Sequence, residues 1–310
     1  MRRIFVYIIL SLATMHLQAQ NTAMLNDEKL TEFTQKLAKL PFSERDVINK
    51  ACKIFEEDFK TDPENADWAY QILYFYHQLS CDDKTATLHK TFSDQEIRSL
   101  KIGDIRVRAK LKTAMKQFDK EYSKYGYRIM SFEDTSHVIE VQPPFLYKRL
   151  KKYLTKDYAY YRGLWISEHD VPPYWHAALN VPLREIMARI EWRDLLLDAS
   201  PDFVRNDLVL REIEDLSFCV TKGLENTPIY DQKDIILKEY KDALQSYYTK
   251  HKETTWGLYF TDFVHKLALN KYRNSYDIDK WVIDILFPRE RKTIDPLLKY
   301  KDLLIEYIVP

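Results

Sequence analysis

The stretch VINKACKIFEEDFKTDPENADWAYQILYFY (Val47–Tyr76) carries two helical faces on either side of one proline. Val47, Ala51, Ile54, Phe55 and Phe59 recur at three-to-four spacing, and so do Trp68, Ile72, Leu73 and Tyr76, so each half has one apolar stripe to bury. Asp62-Pro63 separates the halves, because proline has no N–H to extend a helix and its ring clashes with the preceding turn. The pattern predicts two helices folded back on one another.

The same grammar extends in both directions. Upstream, Leu30, Phe33, Leu37 and Leu40 share a helical face that Pro41 stops, and Ser43 with Asp46 predicts a capping box for the next helix. Downstream, Ser93 and Glu96 form a second such box, and Ile105, Leu111, Met115, Phe118 and Tyr122 mark a long helix closed by Gly126. The period then changes. Tyr127–Phe132 and His137–Val141 are β-rich and roughly alternating, with Glu133–Ser136 as the turn, which predicts a β-hairpin. Helical stripes resume after Pro143-Pro144: Leu183 to Leu195, Val204 to Val220 capped by Gly223, Ile235 to Tyr247, Trp256 to Leu267, and two more between Ile278 and Ile308. The expected fold is mostly α, an array of roughly ten antiparallel helices, irregular and solenoid-like, with one small β-hairpin near residues 127–141.

Composition narrows the function. The chain has 5 glycines in 310 residues, against an average near 7%. No GxGxxG, GxxxxGK[ST] or GxSxG occurs, so phosphate-cradling loops and nucleophile elbows are missing, and no cofactor is expected. Met1-Arg2-Arg3 followed by the apolar run Ile4–Met15 and small Ala19 reads as a signal peptide over residues 1–19, cleaved near Ala19 or Gln20. The run is too short to span a bilayer comfortably. An exported protein, periplasmic or secreted, follows, with no membrane span. Basic and acidic side chains balance at 47 each, so no global charge attracts nucleic acid. Cys52, Cys81 and Cys219 read as buried thiols, since a chain of this length can bury a full core without staples.

Beyond the leader, the composition divides into N-terminal helical hairpins over 20–100, a basic, tyrosine-rich segment with the hairpin over 101–180, and a C-terminal helical region over 181–310. Together they are expected to form one continuous unit. Ala51, Phe55 and Pro63 stand at the small, aromatic and proline positions of tetratricopeptide repeats, and Ala188, Trp192 and Pro201 nearly repeat them. These segments resemble degenerate tetratricopeptide-like hairpins, which implies a binding scaffold. Gly223-Leu224-Glu225-Asn226-Thr227-Pro228, with the hairpin and the long C-terminal helices, resembles an uncharacterised family of exported bacterial helical proteins. That resemblance supports the fold and supplies no catalytic residues.

Two places carry candidate chemistry. In FLYKRLKKYLTKDYAYYRGLW, cations alternate with aromatic rings, a pattern suited to neutralising a polyanion and stacking on its rings. Lys148, Arg149, Lys151, Lys152, Tyr158, Tyr161, Arg162 and Trp165, with Trp175 nearby, are the candidate ligand-binding residues, and Gly163 is the glycine whose missing side chain would admit a ligand. The alternative is a helix whose aromatics face the core while its cations are solvated or paired. Glu168-His169-Asp170 with His176 is the only close group of metal-capable side chains, in an expected loop through Pro172-Pro173. Its spacing matches no standard zinc site, so His169, Asp170 and His176 remain candidates without a metal assignment. Carboxylate pairs such as Glu56-Glu57 or Glu212 with Asp215 have the residue types a glycosidase needs, but among 47 acidic residues such pairs arise by chance. No residue is assigned as catalytic. The reading is an exported binding or scaffold protein for a protein, peptide or anionic glycan, its oligomeric state open. The alternative is a cell-envelope or glycan-acting enzyme with a site near residues 158–176.

Overall fold

Helix α1 (Asp27–Ala38) forms where the stripe Leu30, Phe33 and Leu37 requires burial, and Asn26 caps it by accepting the Lys29 N–H. Helix α2 (Val47–Phe59) buries Val47, Ala51, Phe55 and Phe59. Asp62 then caps α3 (Pro63–Thr91), whose first position is Pro63, where the missing N–H costs nothing. The computed structural model describes residues 26–93, 96, 105–131, 137–201, 203–288, 295 and 297–308. The expected signal peptide and the Glu133–Ser136 turn lie outside the described residues. Among those described, twelve α-helices and two small antiparallel sheets make a mostly-α protein. None of these helices is long and apolar enough to cross a membrane.

Contacts divide the chain into two units, Thr22–Gly163 with Asp295–Pro310 and Leu164–Ile294. In the first, α1, α2 and α3 pack around Phe33, Phe55 and Phe59, whose ring centroids lie 5.1 to 6.1 Å apart. Helix α4 (Ile105–Tyr122) passes through a short 3-10 turn to Gly126, at φ +89. A Cβ at Gly126 would meet Phe145 at 2.5 Å and His77 at 2.8 Å, so only glycine fits the turn. Strands β1 (Tyr127–Ser131) and β2 (His137–Val141) pair antiparallel with Ile129 opposite Ile139, and the Ile139 N–H donates to Thr85 on α3. Helix α5 (Pro144–Leu150) and the first part of α6 (Lys156–His169) follow, and α12 (Leu298–Ile308) returns to α1, where Tyr300 donates to Asp27 at 2.6 Å.

The second unit holds the rest of α6, strands β3 (Tyr174–Trp175) and β4 (Ala178–Leu179), and helices α7 (Leu183–Ala199), α8 (Asn206–Thr221), α9 (Lys238–Lys250), α10 (Thr255–Leu269) and α11 (Tyr276–Leu286). Helix α7 packs on α8 and α9, and α9 on α10. Buried Tyr247 of α9 donates to Asp194 of α7 at 2.7 Å.

Some expectations change. The Ser43–Asp46 capping box does not form: α2 starts at Val47, so Asp46 precedes the helix, and its side chain makes no cap hydrogen bond and lies 3.8 Å from Lys50 instead. The Ser93–Glu96 box does form, with the Ser93 N–H donating to Glu96 at 2.9 Å. Ile235 and Ile236 are not helical: they bridge to Arg273 and Tyr230, and α9 begins at Lys238. Residues 174–179, expected as loop, hold the second two-stranded pairing, with Tyr174 opposite Leu179. All three cysteines are buried and unbridged.

Candidate functional site

Three helices of the second unit place charged side chains at three-to-four spacing around one cleft. Helix α6 contributes Trp165, Glu168 and His169, α7 contributes Arg189 and Arg193, and α8 contributes Glu212, Asp215 and Leu216. Pro172, Pro173 and Tyr174 complete the lining of a space of about 270 Å³. That is near the lower edge, ~300 Å³, of small-molecule sites.

Arg193 is the keystone. It is buried, donating from Nη1 and Nη2 to Glu168 at 3.1 and 2.6 Å and from Nε to Glu212 at 2.7 Å. A third acceptor, the Arg189 carbonyl, takes Nη1 at 3.0 Å. Burial works against the Arg193 charge, but the two carboxylates outweigh it and hold its pKa above the ordinary arginine range. Arg189 donates from Nε to Glu185 at 3.1 Å and from Nη1 to the Val171 carbonyl at 3.0 Å, which pins the chain entering Pro172-Pro173. Its Nη2 makes no hydrogen bond with the described residues. Asp215 differs from its neighbours. Desolvation, with the adjacent Glu212 charge, raises its pKa, and only Arg211 opposes that. Trp165 and His169 lie one helical turn apart, their ring centroids 4.6 Å apart.

Tyr174 is placed by a two-residue turn at His176 (φ 48) and Ala177 (φ 57), both in the left-handed region that hairpin turns of this length require. Neither residue is glycine, so the turn is held by outside bonds. Asn226 donates its side-chain amide to the His176 carbonyl and its backbone N–H to that of Ala177, each at 2.8 Å, and the Leu179 N–H donates to Thr227 at 3.0 Å. The Gly223–Pro228 segment therefore serves as the mount for the hairpin. A left-handed non-glycine residue costs ~1–2 kcal/mol. Ala177→Gly is expected to stabilise the chain by about 1 kcal/mol in urea denaturation, after the entropy glycine adds to the unfolded chain. An unchanged or lowered midpoint would show that the turn is unstrained.

The residues singled out from sequence disperse. Lys148, Lys151 and Lys152 are exposed, with Lys151 and Lys152 over the rings of Tyr147 and Tyr153. Arg149 donates from Nε and Nη2 to both oxygens of Glu56, at 2.7 and 3.0 Å. Tyr158 and Tyr161 are buried, and buried Arg162 lies 5.3 and 4.8 Å from the ring centroids of Tyr70 and Tyr74. A Cβ at Gly163 would lie 3.0 Å from the Tyr147 hydroxyl, so a side chain of the same unit fills the space proposed for a ligand. Trp165 and His169 line the cleft, whereas Trp175, Asp170 and His176 are exposed and do not. Among the described residues no three His, Cys, Asp or Glu side chains converge as a metal site would need.

The sequence pattern alone does not single out Arg189, Arg193 or Tyr174. Arg189 and Arg193 share the buried side of α7 with Ile186, Met187 and Ile190, and cations inside an apolar stripe are the signal that could have found them. No family model, curated protein or solved structure matches this chain.

Proposed function

We propose that this chain is an exported, non-enzymatic binding protein whose ligand occupies the cleft between α6, α7 and α8. One observation carries the reading: buried Arg193 spends its donors on Glu168, Glu212 and the Arg189 carbonyl, so this network builds the walls of a cleft that Trp165, Tyr174 and Asp215 also line. The tetratricopeptide-like helical hairpins and the leader-like N-terminus agree with an exported scaffold. Asp215→Trp, at an exposed position, would fill the mouth of the cleft without touching the core. Ligand-detected NMR with a fragment library is expected to yield binders that this variant loses. Binders indifferent to it would refute the cleft. Export is checked by N-terminal sequencing of periplasmic and culture-medium protein, which should begin at Gln20 or Asn21.

A second reading has its own support. Desolvation raises the Asp215 pKa, while Glu212 accepts from Arg193, and two carboxyl groups in unlike surroundings are what acid–base hydrolysis of a glycosidic bond uses. Hydrolysis of an envelope glycan that Asp215→Asn abolishes would establish an enzyme. Binding without turnover would establish the first reading.

A further inference from the structure

Both arginines of the cleft are paired with carboxylates. Glu168 and Glu212 answer Arg193, and Arg189 is answered by Glu185. What lines the cleft for a ligand is therefore a mixture: rings at Trp165, His169 and Tyr174, a carboxyl at Asp215, and Nη2 of Arg189, which makes no hydrogen bond with the described residues. A sugar hydroxyl is one donor and two acceptors at once, so it can bond to both an arginine N–H and a carboxyl oxygen. The C–H face of a pyranose ring is flat and apolar enough to lie on an aromatic ring. A ligand of either formal charge would gain one partner here and meet a like charge beside it. Resting on the cleft as the binding site, we propose that its ligand is an uncharged sugar ring of an oligosaccharide, with hydroxyls bonded to Asp215 and Arg189 and its apolar face on Trp165 or Tyr174. The anionic glycan expected from the basic segment does not fit this cleft. The cations of that segment lie in the other unit, where Arg149 is paired and Arg162 is buried against tyrosines.

The experiment titrates the mature chain with neutral gluco-, galacto-, manno- and N-acetylgluco-oligosaccharides, and with oligogalacturonate and tetralysine, reading tryptophan fluorescence and calorimetry. At least one neutral oligosaccharide is expected to bind saturably, and Trp165→Ala and Asp215→Ala should each weaken it tenfold or more. If Trp165→Ala fails to fold, Tyr174→Ala, at an exposed position, replaces it. Absence of binding by every neutral oligosaccharide would overturn the proposal, as would binding that ignores these substitutions. Cleft-dependent binding of tetralysine or oligogalacturonate alone would overturn the sugar while keeping the cleft as the site. If no probe or fragment binds in a way these variants disturb, both readings fall.

Discussion

Arg193→Ala is expected to lower the stability of the second unit by about 3–5 kcal/mol and to abolish binding in the cleft. The arginine is 5% exposed and is the hydrogen-bonding partner of both Glu168 and Glu212. Truncation leaves the Glu168 carboxylate in a poorly hydrated wall without its bidentate partner, and the remaining group bears most of the loss. The double variant Arg193→Ala with Glu168→Gln should lose less than the sum of the two single losses, because the orphaned charge is gone. Urea denaturation followed by Trp fluorescence and ligand titration reads both effects. A loss under about 1 kcal/mol would show that the network contributes little beyond a surface ion pair.

Asp67→Asn is expected to remove a pH dependence from the first unit. The Asp67 side chain is 2% exposed and holds the start of α6, accepting the Thr155 N–H at 3.0 Å and the Thr155 hydroxyl at 2.5 Å. Burial pushes its carboxyl up from 3.8 to about 7, against the pull of the two Thr155 bonds and helped by Asp157 and Glu64. The folded state therefore binds its proton more tightly than the unfolded chain does. That contribution to stability is fully present below pH 4 and is lost as pH rises through about 7. The difference amounts to about 4 kcal/mol at most between pH 4 and pH 8. Asparagine keeps an acceptor for the Thr155 N–H and presents an amide donor to its hydroxyl, with no charge to bury. Wild-type stability should fall relative to Asp67→Asn across this window, with the variant the more stable at pH 8. Parallel stability curves would mean that Asp67 ionises at its ordinary pKa.

How well each element could be read follows from the range of the forces that form it. The stripes of α1, α2, α8 and α10 are local, and so are the stops at Pro41, Gly126 and Gly223, which is why these helices lie where the periodicity puts them. Ile235 and Ile236 break the rule because their backbones are claimed by Tyr230 and Arg273, partners that spacing along one strand of sequence does not reveal. The strands at 174–179 escape for a related reason. Their turn uses no glycine, and it is held by Asn226 and Thr227, about fifty residues away.

The candidate site divides in the same way. Tyr158, Tyr161 and Arg162 read as a cation–aromatic groove because sequence shows alternation but not which side is solvated, and all three are buried. By itself the sequence determined the mostly-α class, the helix stops and the absence of glycine-built phosphate loops, since propensity, periodicity and glycine placement act over a few residues. Only the tertiary structure decided that Trp165, Arg189, Arg193 and Asp215 share one cleft. Ion pairing joins Arg193 to carboxylates 19 and 25 positions away, and no local pattern records which of 47 cations meets which of 47 carboxylates.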